Sequence, residues 1–183
     1  RKLQYQMLAE KGSLGKLPFI GVDELDTQKA RVVFQGAEGA YSQAAMDKYF
    51  GESVNSFHVE TFRDAMSAID EGSADFAVLP IENSTAGMVS EIYDLLVEFE
   101  NYIVGEQIIK IEHCLLGLPG TDLSEVKTVY SHPQSLMQSA RFLQGYDWRQ
   151  ISMQNNAFAA QKVKNDGDKT QVAVASDYAG KIY

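Results

Sequence analysis

The chain has 183 residues, of which 45% are hydrophobic and 22% are charged. This composition is typical of a folded globular domain and excludes wholesale disorder, which requires low hydrophobicity and high charge. The net charge of −9 disfavours nucleic-acid binding, which depends on Lys and Arg neutralising phosphates. No apolar run approaches the roughly 20 residues of a membrane-spanning helix, so we expect neither a nucleic-acid nor a membrane partner. The single cysteine, Cys114, excludes an intrachain disulfide and indicates a reducing, cytoplasmic compartment.

The first 30 residues lack the regular alternation of strand and helix patterns that the rest of the chain has. Lys11–Gly15 has the features of a helix end, and Asp23–Lys29 is polar without a period. We interpret residues 1–30 as a linker to something upstream. A flexible N-terminal arm is the alternative.

From Arg31 onward, short β-rich runs alternate with helical patterns. The predicted strands cover 31–35, 54–60, 76–79, 102–118 (one long strand or two joined strands), 127–130, 148–153 and 171–175. The predicted helices cover 41–50, 62–69, 89–99, 133–143 and 156–164, with a last short helix starting near Ser176. Such alternation predicts βαβ units and largely parallel sheets. Because the long extended segment divides the pattern, we predict an α/β fold of two lobes, about 31–108 plus 175–183 and about 109–174.

Four predicted strand-to-helix loops carry small polar residues. Ligands of open α/β sheets bind beyond the carboxyl ends of the strands, where helix N-termini also gather. The loops are 36–43, 80–87, 131–135 and 154–160, and their candidate donors are Ser42, Gln43, Asn83, Ser84, Thr85, His132 and Gln134. In each loop the alternative is a turn or a helix cap, and we favour Asn capping for the fourth. In the loop 80–87, a strand that ends at a proline is followed by Asn83, Ser84 and Thr85, and this pattern predicts that a helix starts there.

Other common site patterns are missing from the sequence. There is no G-x-G-x-x-G, no P-loop and no metal-binding spacing of His and Cys. His113 and Cys114 are neighbours, but strand alternation places them on opposite faces, which disfavours a thiol–imidazole pair.

Four stretches of the chain resemble the prephenate dehydratase family, which includes the arogenate dehydratases. They are Gly36–Ala45, Asp75–Gly87, Ser131–Gln138 and Val172–Ser176. The resemblance implies a two-lobed fold like that of periplasmic binding proteins, with a ligand cleft between the lobes. It also implies the decarboxylating dehydration of prephenate to phenylpyruvate, without cofactor or metal, in a homodimer or homotetramer. By the family pattern, the substrate-binding residues are Ser42, Asn83, Ser84, Thr85, His132, Gln134, Asn156, Ala175 and Ser176.

Two departures from the family pattern affect these expectations. Asn156 stands where the family usually has a threonine, and the family's Asn-Phe-Thr-Arg-Phe segment, with its proton-donating threonine, is not present up to Tyr183. We therefore expect a dehydratase domain that is incomplete at its C-terminus and impaired in activity. Arg1–Gln6 resembles the tail of a chorismate mutase domain, so we expect a bifunctional parent protein, with a monofunctional parent that has an unusual leader as the alternative. Alternatives are an arogenate dehydratase and a non-catalytic binding module for small carboxylates.

Overall fold

The computed structural model describes residues 25–84 and 87–183. The proposed mutase-like tail, most of the predicted linker and Thr85 lie outside these residues. No helix in the described part is long and apolar enough to cross a membrane.

A three-stranded parallel sheet forms the first half of the described chain. Its strands β1 (Arg31–Gln35), β2 (Asn55–Val59) and β3 (Phe76–Val78) lie in the order β2-β1-β3. Helices α1 (Tyr41–Phe50) and α2 (Phe62–Asp70) follow the first two strands. A short antiparallel hairpin of β4 (Glu82–Asn83) and β5 (Gly87–Met88) and helix α3 (Ser90–Glu98) complete this half.

Strand alternation gives the first sheet a hydrophobic layer on each face. Val32 and Phe34 of β1 pack with Met46 of α1. Val33, which points to the other face, packs with Ala65 of α2 and its neighbours. Because β1 is the central strand, its three middle residues are 0–2% exposed.

A four-stranded sheet forms the second half. Its strands β6 (His113–Leu116), β7 (Thr128–Ser131), β8 (Arg149–Ser152) and β9 (Gln171–Ser176) lie in the order β6-β9-β7-β8. Strands β7, β8 and β9 are parallel, and β6 is antiparallel to β9. The helices of this half are α4 (Pro133–Gln138), α5 (Ala140–Leu143), α6 (Asn156–Asp166) and α7 (Asp177–Ile182).

Each face of the second sheet is covered by its own helices. Leu136 and Leu143, from α4 and α5, join the cluster that contains Val129 of β7. On the other face Val163 of α6 packs with Tyr130. The two faces therefore alternate along β7 as the period of a strand requires, and the predicted α/β class with parallel sheets is confirmed.

Three local predictions were wrong. Asn83 does not open a helix: β4 pairs with β5, in which Gly87 adopts φ +82°, and the helix begins only at Ser90. Pairing with β5 keeps the backbone of Asn83 extended, so Asn83 does not cap a helix.

The long strand expected over residues 102–118 is reduced to β6. Only His113–Leu116 find a partner strand, which is β9, whereas residues 99–112 join no ladder. Alternation of apolar side chains was present, but a strand also needs a neighbour for its backbone groups.

The helix expected over residues 133–143 is broken into α4 and α5. Ser139 has φ −94° and ψ 3°, outside helical geometry, at the junction of the two.

Candidate ligand-binding site

The carboxyl ends of the parallel strands define one edge of each sheet. In the first sheet this edge carries the glycine loop 36–40 after β1 and residues 79–84 after β3. In the second sheet it carries the residues that follow Ser131, Ser152 and Ser176. Because β6 is antiparallel to β9, His113 pairs with Ser176 and so lies at this edge too.

The glycine loop packs directly against the second half of the chain. Gly39 has φ +85°, and its amide donates to Gln43 Oε1 at 2.7 Å. A Cβ at Gly39 would lie 3.3 Å from the Cα of Ala179 in α7. Ser176 Oγ lies 3.5 Å from the Gly39 carbonyl oxygen. The loop and α7 are therefore in van der Waals contact, and Ser42 lies half-buried in the helical turn that follows.

Three phenols connect the two halves. The Tyr41 hydroxyl donates to the Glu112 carbonyl oxygen at 3.2 Å, and the Tyr183 hydroxyl donates to the Glu38 carbonyl oxygen at 3.0 Å. Tyr178 donates to the Asp47 carboxylate. Burial, followed by this hydrogen bond, raises the pKa of Tyr178 above its usual value. The halves are joined here by neutral hydroxyl donors.

His113 lies between a phenol and an amide. Its Nδ1 is 3.4 Å from the Tyr41 hydroxyl, and its Nε2 is 2.7 Å from Gln138 Oε1. Because the amide oxygen only accepts, Nε2 carries the proton, and Nδ1 competes with the Glu112 carbonyl oxygen for the single proton of the Tyr41 hydroxyl. Burial, and then the nearby charges of Cys114 and Glu112, raise the pKa of Tyr41 to about 12. Tyr41 is therefore a protonated donor at neutral pH.

His132 begins α4, as its position before Pro133 predicts. Its Nδ1 accepts a hydrogen bond from the Gln134 amide at 3.2 Å. The neutral ring therefore carries its proton on Nε2, where it is a hydrogen-bond donor. Gln134 and His132 are both half-buried at the edge of the sheet.

The fourth loop divides two roles between adjacent asparagines. Asn155 caps α6, with Oδ1 accepting from the Phe158 amide at 2.8 Å. Asn156 Oδ1 instead accepts from the His132 amide at 3.0 Å, and Asn156 Nδ2 donates to Ser135 Oγ at 2.8 Å. The cap expected in this loop is thus present at Asn155, whereas Asn156 connects two loops.

The remaining predicted residues differ in their surroundings. Asn83 and Ser84 lie at the same edge of the first sheet as the glycine loop, and Ser84 is exposed. Ala175 is 0% exposed and packs with Ala179. Ser176 is 5% exposed, and its hydroxyl accepts from the Ala179 amide at 3.0 Å as the cap of α7. The side chains of the last two are therefore occupied within the protein.

A cavity of about 330 Å³ lies between β6 and the junction of α4 and α5. It shares His113 with the edge described above, and its other lining residues are Cys114, Leu115, Ser139, Phe142 and Val174. Its lining is mainly apolar. Among the described residues, no group of three or more His, Cys, Asp or Glu side chains is arranged to hold a metal ion.

Sequence reasoning did not select Tyr41, His113 or Gln138. Tyr41 follows the glycine loop directly and Gln138 ends the Ser131–Gln138 stretch, so the sequence held a signal that could have identified both. His113 had no such signal, because its place at the edge follows from the antiparallel pairing of β6.

Curated proteins similar to the chain are dehydratases. It is 35% identical over 167 residues to the bifunctional chorismate mutase/prephenate dehydratase of Escherichia coli K12, covering 88% of this chain and 43% of that protein. It is 40% identical over 158 residues to arogenate dehydratase/prephenate dehydratase 1 of Arabidopsis thaliana, covering 86% of this chain and 40% of that one. The chain thus spans less than half the length of these relatives.

Solved structures share the fold. GqqA, described as a novel type of quorum quenching acylase, matches with a TM-score of 0.75 and 35% identity over 83% of this chain and 55% of its own. The prephenate dehydratase of Arthrobacter aurescens, in complex with L-Phe, matches with a TM-score of 0.72 and 22% identity over 84% of this chain and 52% of its own. A family model described as prephenate dehydratase matches residues 32–183. The chain belongs to the prephenate dehydratase family.

Proposed function

We propose that the chain is the dehydratase domain of a larger, oligomeric cytoplasmic enzyme of phenylalanine biosynthesis. The reaction is the decarboxylating dehydration of prephenate to phenylpyruvate, and the ligand binds in a cleft between the two sheets. The observation that carries the proposal is the family match over residues 32–183. It is supported by the contact between the loops at the carboxyl edges of both sheets.

The chemistry of these loops fits a dicarboxylate. None of the nine predicted site residues is Asp, Glu, Lys or Arg. The two carboxylates would therefore be held by uncharged donors. These are side-chain hydroxyl, amide and imidazole N–H groups, together with the free backbone amides at the start of α1 and α6. This local arrangement offsets a net charge of −9 that would otherwise repel a dianion.

The proposed roles follow from exposure and existing hydrogen bonds. Ser42, Ser84 and Gln134 would contact the carboxylates, with Asn83 and Thr85 beside Ser84. His132 Nε2 would donate to the substrate, because its Nδ1 is already used in the cap of α4. Ala175 and Ser176, which are buried, would support the wall of the cleft.

Calorimetric titration of the 183-residue chain with prephenate tests binding, and phenylpyruvate formation by the full-length protein tests turnover. Loss of the Ser42 hydroxyl in Ser42→Ala should weaken binding about tenfold, the value of one hydrogen bond to a charged group. Ser67→Ala, a half-buried helix serine of α2, is the matched control and should bind as the parent does. Binding without turnover by the full-length protein would favour a binding module. Preference for arogenate in competition would favour the arogenate dehydratase activity named for the Arabidopsis relative.

An acylase is the second candidate, because of GqqA and of the cavity beside His113. Leu115, Phe142 and Val174 give that cavity an apolar lining suited to an acyl chain, and Ser139 adds a hydroxyl. The reaction would add water across an amide C–N bond and release a carboxylic acid and an amine. Release of octanoate from an N-octanoyl amide, lost in Ser139→Ala, would support this activity. No release by the full-length protein would reject it.

A further inference from the structure

We propose that Asn156 is a positioning residue, which fixes the loop that carries His132 instead of binding substrate itself. The inference rests on the proposed function, because it concerns how the proposed prephenate site is held in shape. Asn156 is the first residue of α6, and the residues it contacts lie between the end of β7 and the first turn of α4.

The orientation of the Asn156 amide is determined by its partners. The His132 backbone N–H can only donate, so the group facing it at 3.0 Å must be the carbonyl oxygen, Oδ1. Nδ2 therefore faces Ser135 Oγ, at 2.8 Å. The same Oδ1 lies 2.8 Å from Ser131 Oγ. One side chain is thus bonded to the end of β7, to the loop and to the first turns of α4.

The partners of Asn156 are among the best buried polar groups of the described chain. Ser131 is 0% exposed and Ser135 is 4% exposed. Ser131 Oγ is also 2.6 Å from the carbonyl oxygen of Val174 in β9. Its single proton is shared between that oxygen and Asn156 Oδ1. Networks of this kind restrict a backbone to one arrangement, because each unpaired member would be costly in a buried site.

This arrangement controls the direction of the His132 ring. The His132 amide is held by Asn156, and its Nδ1 is held by the Gln134 amide. Together these two bonds determine the backbone and the ring of the residue proposed to donate to the substrate. Loss of the first bond leaves the ring attached only to its own helix. A small displacement of a binding group is enough to lower affinity strongly.

Asn155 provides a matched control. It lies beside Asn156, is also half-buried, and its side chain caps the same helix without bonding to the loop of His132. Alanine at either position removes an amide from the start of α6, so both variants lose stability. Only Asn156→Ala releases His132. Asn156→Thr keeps one side-chain oxygen able to accept from the His132 amide, and it is the conservative variant.

The experiment combines calorimetric titration of the full 183-residue chain with prephenate and amide hydrogen exchange of His132 by NMR. Asn156→Ala should weaken binding about tenfold, as for one lost hydrogen bond near a charged ligand, and should increase exchange at the His132 amide. Asn155→Ala should change binding less than about twofold at a similar loss of stability, and Asn156→Thr should recover most of the affinity. Equal effects of the two alanine variants on binding, or unchanged exchange at His132, would overturn the inference.

The two proposals fail in different ways. If the parent chain and the full-length protein both do not bind prephenate, the proposed function is wrong. The exchange comparison then still decides whether Asn156 holds the loop. If the parent binds but Asn156→Ala binds equally well, the dehydratase site stands and the positioning role is rejected.

Discussion

Gly39 allows the contact between the two halves of the protein to be measured as a difference in stability. Its φ is +85°, and a methyl group there would meet the Ala179 Cα at 3.3 Å, the Tyr183 ring at 3.3 Å and the Ala179 Cβ at 3.4 Å. Gly167, after α6, has φ +65° and ψ 16°, and its methyl would meet nothing within 4 Å. Gly39→Ala and Gly167→Ala therefore both place a side chain at positive φ, and only at Gly39 does the added methyl group meet other atoms.

The expected magnitudes follow from these two parts. A non-glycine residue in the left-handed region costs about 1–2 kcal/mol, and this applies to both variants. The gain from restricting the unfolded chain is common to both and cancels in the comparison. Crowding against a helix backbone, which has little freedom to move, adds about 1–3 kcal/mol at Gly39 only. We therefore expect Gly39→Ala to be the less stable variant by at least about 1 kcal/mol.

Urea unfolding of both variants, followed by circular dichroism, measures the difference directly. The slope of the free energy of unfolding against urea should be the same for the parent and both variants, so that midpoints can be compared. If the two variants unfold with the same free energy, the glycine loop does not pack against α7 in solution. The assignment of this contact to the candidate site would then be wrong.

Three further results are expected. An alkaline titration followed by tyrosine absorbance should show that Tyr41→Phe removes one phenol that ionises near pH 12, because the pKa of Tyr41 is raised to about 12. Loss of a phenol that ionises near pH 10 would contradict this. The Arg31 hydrogen bonds lower the pKa of Asp75 to about 2 from 3.8, so Asp75 stabilises the fold above pH 3.8 and less as the pH falls toward 2. In Asp75→Asn, the free energy of unfolding in urea should therefore fall less between pH 3.8 and pH 2 than it does in the parent. An unchanged fall would refute the ion pair of Asp75 with Arg31 as its cause. Leu143→Ala, at a 2% exposed position, should cost about 2–5 kcal/mol in urea unfolding, whereas Val97→Ala, 87% exposed, should cost under about 0.5 kcal/mol.

Local patterns in the sequence predicted most of the regular elements. The strand at 31–35 and the helix at 41–50 begin and end where periodicity placed them. In such segments propensity and burial favour the same structure, so a short window of sequence is sufficient. The prediction failed where a distant partner decides the structure. Ile109 and Ile111 continue the alternation of β6, but residues 102–112 have no neighbouring strand, and Glu82 and Asn83 pair with Gly87 and Met88.

The candidate site was predictable to a similar extent. Ser42 and His132 were predicted to lie at the carboxyl edges because strand-to-helix loops of parallel sheets meet there, and the structure places both residues at such edges. His113 and Tyr41 were not, since their meeting depends on the reversed direction of β6 and on the packing of two separate sheets. The role of Asn156 was also beyond the sequence. Its neighbour Asn155 has the same residue type, and only the structure shows which of the two caps α6.

The phenol contacts between the two halves make the strength of this interface easy to tune. Each contact depends on a single oxygen atom at the tip of a ring: Tyr41 on Glu112, Tyr183 on Glu38, and Tyr178 on Asp47. The exchange of one such hydrogen bond for a bond to water costs little, about 1 kcal/mol. A single Tyr-to-Phe change would therefore weaken the contact between the halves by about fivefold while leaving the ring in place. The contact between the two sheets is thus adjustable in small steps during evolution, without the loss of a ring.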